Sequence, residues 1–348
     1  MLSSMGPIAL LGSGETSLAG GRVYEMLASR YTGPLEVAVL ETPAGFEINS
    51  AQVAGRVGDY LKVRLQNYDA RIHVVPARRR EGRWSTDDPA ILQPLLTADL
   101  IFMGPGSPTY AVRQLRETLA WDLLRARHRS GAALIFASAA TVAIGTHSLP
   151  VYEIYKVGED VSCPKGLDLF GDFGLSVSCI PHWNNTDGGA DVDTSRCFVG
   201  MDRFAQWCAM LPPESSLLGL DEHTSLVIDP GAGTCQVSGV SSVTLLQVCT
   251  PEIYPAGQSF ALAELGPIRL PQGPSQGIQD VAWEMVQKAR SAQAPEQPPE
   301  AILELVEKRR LARLEKDWAA SDRLRAEINQ LGWTVTDSAE GQTVARRA

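Results

Sequence analysis

The stretch Gly131–Gly145, GAALIFASAATVAIG, constrains this chain more than any other. Its apolar run Ala132–Phe136 has the length and bulk of a strand buried on both faces. Ser138 follows almost at once, and behind it comes a run of small residues able to start a helix. A chain passing so quickly from buried strand to helix must turn sharply, which lifts a side chain clear of the sheet edge. α/β folds present a nucleophilic serine at such a turn, where nearby backbone N–H groups stabilise an oxyanion. The same turn can also hold a small residue for packing alone. A nucleophile elbow has glycine two residues before and two after its serine; here those positions are Phe136 and Ala140.

The residues before this stretch alternate between short apolar runs and helical patterns. Strands are expected at Pro7–Leu11, Leu35–Leu40, Ile72–Pro76 and Leu100–Met103. Helices are expected at Gly21–Arg30, Ile48–Tyr68 and Pro89–Thr97, then through Leu115 and on to about Arg129, with a break near Glu117 or Thr118. That alternation predicts an α/β fold, a parallel sheet with helices on both faces. Ligands of such sheets bind at the carboxyl ends of the strands. The glycine turns at 12–16 and 104–109 lie at such ends, as Ser138 does, so the N–H groups of Gly106 and Ala139 are candidate oxyanion donors. The first turn lacks the third glycine of a dinucleotide fingerprint and the lysine of a P-loop, and reads as a tight βα turn. Arg78-Arg79-Arg80 reads as a solvated loop or as a contact for an acidic substrate.

A serine nucleophile needs an imidazole in hydrogen-bond reach and an acid to orient it. Of the five histidines, His73 lies inside a strand and His128 near the end of a basic helix. His147 is close to Ser138 in sequence, but the intervening helix carries it away. After an irregular stretch to Leu175, the strand Leu175–Ile180 runs straight into Pro181-His182-Trp183-Asn184-Asn185. A helix is expected over Thr194–Leu211, then Leu217–Leu220 leads to Asp221-Glu222-His223-Thr224 before the strand Ser225–Ile228. Cys235–Val237 and Val243–Val248 read as a late pair of strands. His182 is the candidate base and Glu222 the orienting acid, with His223 as the alternative base.

Charge and cysteine content bound the setting. The chain has 348 residues and a formal net charge of −9, which argues against broad nucleic-acid binding by the whole chain and against an anionic membrane surface, while leaving room for a local basic face. The six cysteines form no C-x-x-C pair, as expected of free thiols in a reducing cytoplasm. The first residues carry no basic n-region, and no stretch approaches the roughly 18 apolar residues of a spanning helix. The expectation is a soluble cytoplasmic protein that requires neither metal nor cofactor.

With these residues in place, residues 5–250 resemble the dipeptidase E and cyanophycinase family of serine peptidases. Gly104-Pro105-Gly106 is similar to that family's glycine turn, and Ala137-Ser138-Ala139-Ala140 to its elbow. Pro181-His182-Trp183 is similar to its histidine motif, and Gly219-Leu220-Asp221-Glu222-His223-Thr224-Ser225 to its acid segment. The resemblance implies a three-layer, class I glutamine-amidotransferase-like (flavodoxin-like) domain. It also implies cleavage of a small peptide or amide through an acyl-enzyme, with Ser138, His182 and Glu222 as nucleophile, base and acid. The chain departs from the family in its elbow glycines, and in the arginine-rich run after the histidine, which Asn184–Asp193 replaces. No cysteine occupies the elbow, which argues against glutamine hydrolysis by the amidotransferase route. The alternative is an inactive hydrolase-like binding protein.

Beyond a polar, proline-rich linker at 291–300, Ala301–Arg313 and Trp318–Leu331 have helical amphipathic patterns, and Gly332–Val335 and Thr343–Ala345 flank a turn at Glu340-Gly341. This segment resembles the C-terminal end of cysteinyl-tRNA synthetases, carried by Arg309, Ala312, Arg313, Lys316, Asp317, Trp318, Asp322 and Arg325. The synthetase signatures H-I-G-H and K-M-S-K-S are absent, which excludes aminoacylation. The resemblance implies a tRNA contact through 301–348. With nine Lys/Arg against eight Asp/Glu there, that contact would be local. The expected plan is a peptidase-like domain at 1–290, a linker at 291–300 and a C-terminal module at 301–348.

Overall fold

The computed structural model describes residues 5–247, 250–293, 298–338 and 341–346. The chain forms two compact units, Met1–Gln287 and Lys288–Ala348.

The first half of the larger unit supplies β1 (Ile8–Leu11), α1 (Leu18–Ala28), β2 (Glu36–Leu40), α2 (Ser50–Arg64), β3 (Arg71–Val75), β4 (Leu100–Met103), α3 (Pro108–Leu115), α4 (Leu119–Arg129), β5 (Ala133–Ala137) and α5 (Ala139–Ala143). Strands β1, β5, β4, β2 and β3 lie side by side in that order, all parallel. The runs IALL, LIFM and ALIFA are buried at every position, as a sheet covered on both faces requires. One face packs through Ala9, Val39, Phe102 and Ile135 on Val23 and Leu27 of α1 and Val57 and Leu61 of α2. The break between α3 and α4 falls where the sequence puts it: Glu117 turns left-handed (φ +59°) and Thr118 caps α4. The helix expected over Pro89–Thr97 is only a short turn at Gln93–Leu96, because Pro94 has no N–H for a longer one.

The second half adds β6 (Val177–Ile180), α6 (Gly200–Cys208), β7 (Ser216–Leu220), β8 (Thr224–Asp229), β9 (Thr234–Gly239), β10 (Ser242–Gln247), β11 (Thr250–Pro255), β12 (Ser259–Ala261) and α7 (Asp280–Gln293). Antiparallel β8, β9 and β12 extend the main sheet outward from β1, to the order β12-β9-β8-β1-β5-β4-β2-β3. A second sheet, β11-β10-β7-β6, takes the rest. The late strands read as a pair therefore belong to different sheets. Gly239 explains the parting: its φ is +123°, and a Cβ there would lie 2.3 Å from the His223 carbonyl oxygen. One oxygen of Asp221 then accepts from both hydroxyls of Ser241 and Ser242, at 2.7 and 2.8 Å, and fastens the start of β10 beside β7. Val248, which closes that expected strand, lies outside the described residues. Helix α6 is shorter than Thr194–Leu211 because Arg196, Cys197 and Phe198 are all left-handed, with φ of +57°, +61° and +70°.

Helix α7 runs through the expected boundary at 290 and takes up the first residues of the expected linker, anchored by the fully buried Ala282 and Val286. Residues 294–297 of that linker lie outside the described residues. The smaller unit holds α8 (Glu300–Leu314), α9 (Trp318–Gln330) and a hairpin of β13 (Trp333–Ser338) and β14 (Gly341–Arg346). Glu340 of the expected turn is outside the described residues. Ile302, Ile328, Trp333 and Val335 form its core. Arg309, 1% exposed, donates two hydrogen bonds to Asp337, at 2.9 and 2.8 Å, and so ties α8 to the hairpin.

Candidate active site

Ser138 stands at the carboxyl end of β5 with φ +51° and ψ −117°, a conformation that L-residues rarely adopt. The turn forms without its two glycines. Phe136 and Ala140 are both fully buried, and the Ala140 N–H donates to the Gly104 carbonyl at 3.3 Å. The Thr141 hydroxyl, also buried, closes the turn on Phe136 O at 3.0 Å.

His182 follows β6, itself left-handed at φ +49°. Its N–H donates to Gly12 O at 3.1 Å, so the glycine turn after β1 serves to place the imidazole. Cys197 N–H donates to His182 O at 3.1 Å, and the Phe198 ring lies 5.2 Å from the imidazole, centroid to centroid. The left-handed segment that shortens α6 thus wraps the histidine. His182 Nε2 lies 3.1 Å from Ser138 Oγ, and Nδ1 lies 2.9 Å from Glu222 Oε1.

Glu222 occupies the turn between β7 and β8. Asn185 Nδ2 donates to the same Oε1 at 2.9 Å, and the Glu222 N–H donates to Asn184 Oδ1 at 2.8 Å. Partial burial pushes this carboxyl up, but the hydrogen bonds from His182 and Asn185 outweigh it and leave Glu222 below the usual carboxylate range. An ionised Glu222 accepts from Nδ1–H, which leaves Nε2 free to accept the Ser138 hydroxyl proton. The three residues predicted from sequence are therefore brought together in one hydrogen-bonded line.

The two candidate oxyanion donors sit at the ends of the adjacent strands β4 and β5. Gly106 has φ +147°, and a Cβ there would lie 2.0 Å from Pro43 O, so only glycine fits. Ala139 is the first residue of α5, where an N–H has no acceptor within the helix.

The other histidines are engaged elsewhere. His73 pairs with Glu36 at 2.8 Å on the outer strand β3. His128 is completely buried against Gly6 O, and burial pushes its pKa down to about 4. The backbone of His147 pairs with that of Lys165 in an isolated antiparallel bridge. His223, the alternative base, has its N–H on Ser13 Oγ at 3.0 Å and its ring against Gly14. Cys197 is a nucleophile by residue type, but burial, and then the charge of Glu222, push its thiol up to about 12. Cys163, Cys179, Cys197 and Cys235 take part in no disulfide among the described residues; Cys249 lies outside them. No helix among the described residues is long and apolar enough to cross a membrane.

Sequence reasoning flagged Asn184 and Asn185 only as polar neighbours of His182, and missed Thr141 and Phe198. The polar pair was visible as a signal. The contribution of Phe198 depends on three consecutive left-handed residues, none of them glycine, and leaves no pattern to read.

Comparison with known proteins separates the chain into the same two parts. Residues 296–344 match the family model described as the cysteinyl-tRNA ligase anticodon binding domain. The cysteine–tRNA ligase of Methanosarcina acetivorans is 45% identical over 51 residues, which is 15% of this chain and 11% of that ligase. The ligase of Oenococcus oeni is 48% identical over 48 residues, 14% of this chain and 10% of that one. This chain therefore spans about a tenth of the ligases it matches. The larger part is similar in fold to the crystal structure of a peptidase from an acI-B1 Actinobacterium, with a TM-score of 0.59 and 23% identity over 74% of this chain and 98% of that one. The chain joins a peptidase-like, flavodoxin-like α/β fold to a segment similar to the end of cysteine–tRNA ligases.

Proposed function

We propose that this chain is a cytoplasmic serine hydrolase of the dipeptidase E and cyanophycinase kind, cleaving a small peptide or amide through an acyl-enzyme. The observation that carries this reading is the unbroken line from Ser138 Oγ through His182 to Glu222 at the carboxyl edge of the sheet. Ser138 Oγ attacks the carbonyl carbon while His182 Nε2 takes its proton, and Glu222 balances the imidazolium that forms. The N–H groups of Gly106 and Ala139 meet the tetrahedral oxyanion. As the intermediate collapses, Nε2 returns the proton to the leaving amine. Water then attacks the ester with His182 again as base, which releases the acid and restores Ser138. The φ of +51° at Ser138 favours this reading over an inactive binding protein, in which nothing would keep the turn strained.

Incubation with a fluorophosphonate probe, read by mass spectrometry, tests the proposal. The intact protein should label at Ser138, Ser138→Ala should not label, and Glu222→Gln should label roughly a thousandfold more slowly. A wild-type protein that stays unlabelled beside a reacting control hydrolase sinks it. For the C-terminal unit, the match over 296–344 supports a second reading, in which this unit contacts tRNA.

A further inference from the structure

The proposed chemistry leaves the basic cluster after β3 unused. Arg79 and Arg80 line an open cavity of about 720 Å³, together with Phe46, Trp84, Tyr110 and Arg113. Its walls alternate charge with aromatic rings. The Arg78 guanidinium lies 5.2 Å from the Trp84 ring centroid, and Arg83, which is outside the lining, lies 4.6 Å from it. Arg113 lies 5.5 Å over Tyr110, whose ring is 5.2 Å from that of Phe46. Arg78 is committed to the buried Glu41 at 2.6 Å. Among the described residues, Arg79, Arg80, Arg83 and Arg113 have no carboxylate at ion-pair distance; Glu81 is the acid in the lining. A second cavity of about 280 Å³ shares Arg80 and Arg113 and adds Arg116 and Lys165. In a chain of net charge −9, such a gathering is local and works against the fold through mutual repulsion.

We propose that this cavity binds single-stranded RNA. Unpaired bases present flat faces that stack on aromatic rings and guanidinium planes, while the phosphates between them take the remaining cations. The guanidiniums of Arg79, Arg80 and Arg113 are exposed and spread along an aromatic wall, Arg80 also donating to the Glu117 carbonyl at 3.2 Å. A carboxylate side chain calls instead for a converging fork that meets it in two bonds. The cavity follows β2 and β3, two and three strands from β5, which strand spacing places roughly 10–15 Å along the same carboxyl edge from Ser138. The preference for RNA over other polyanions leans on the tRNA contact proposed for the C-terminal unit, which brings RNA to the same chain.

Fluorescence anisotropy of the full chain with a short labelled single-stranded RNA, over a salt series, tests this. Arg79→Ala/Arg80→Ala/Arg113→Ala should weaken binding at least tenfold. It should also flatten the slope of log affinity against log salt by about 2, at roughly 0.7 for each phosphate that is no longer neutralised. Trp84→Ala should cost roughly tenfold, and Trp84→Phe, which keeps a stacking face, should cost much less. Lys308→Ala/Arg323→Ala/Arg325→Ala, in the C-terminal unit, is the comparison. If binding falls there and stays unchanged in the cavity triple variant, the cavity is not the site. Absence of binding by the wild type overturns the proposal. So does displacement of the RNA by a polyglutamate peptide at equal charge concentration, which would mark an acidic-peptide surface. The readout is binding, so it stands whether or not Ser138 reacts with the probe.

Discussion

At the scale of single residues, the site is held by conformations that cost energy. Ser138 at φ +51° and His182 at φ +49° both sit where L side chains are disfavoured, at roughly 1–3 kcal/mol each. Surrounding hydrogen bonds impose the strain: Thr141 on the serine turn, and Gly12 and Cys197 on the histidine. Two substitutions that both remove the hydroxyl should therefore differ in stability. Ser138→Ala keeps a Cβ in the strained conformation. Ser138→Gly releases it, at the expense of about 0.5–1 kcal/mol for the greater freedom of glycine in the unfolded chain. Strain relief is the larger effect, so the glycine variant should unfold at the higher temperature, by about 1 kcal/mol of stability. Equal melting curves for the two would mean that the turn stores no strain.

At the scale of elements, strand ends carry the function, and their fit is close. The turn after β4 packs directly on the turn after β2: Ser107 N–H donates to Pro43 O at 2.9 Å, and Gly106 leaves no room for a Cβ beside the same carbonyl. Gly106→Ala should push these two turns apart, because the obstacle is backbone rather than a flexible side chain. It also forces a side chain onto φ +147°. A loss of about 2–4 kcal/mol in chemical denaturation is expected, from strain added to a displaced contact. Labelling at Ser138 should fall at least a hundredfold, the usual cost of one oxyanion donor. A variant that unfolds early yet labels at the wild-type rate would remove Gly106 from the oxyanion site while leaving its packing role intact.

At the scale of the whole molecule, what could be read in advance was what local chemistry specifies. The buried runs at Ile8–Leu11, Leu100–Met103 and Ala133–Ala137 predicted a parallel sheet because helical patterns alternate with them along the chain. Ser138, His182 and Glu222 were legible because each lies within two residues of the end of an apolar strand. The parting of β9 from β10 was not, since it depends on one carboxylate, Asp221, meeting two serines twenty residues on. The wrap of Arg196–Phe198 around His182 was hidden for the same reason. In the C-terminal unit, amphipathic periods announced both helices, but the burial of Arg309 against Asp337 joins elements 28 residues apart. The Arg309 hydrogen bonds pull the Asp337 carboxyl down to about 2, so the pair contributes stability above the unfolded pKa near 4 and loses it as pH falls toward 2. Asp337→Asn leaves the Arg309 guanidinium buried without its counter-charge. Because Asp337 is itself 36% exposed, solvent screening reduces the expected cost to about 1–2 kcal/mol. That loss should appear as faster amide hydrogen exchange across α8 and the hairpin at neutral pH, with the gap from wild type closing in acid. Ser138, His182 and Glu222 all belong to the first unit, which has its own core. Fluorophosphonate labelling of Asp337→Asn should therefore stay within about twofold of wild type, as for sites that share no partner. A variant whose exchange rises in the C-terminal unit while its labelling also collapses would show that the chemistry at Ser138 depends on the segment that resembles the ligases.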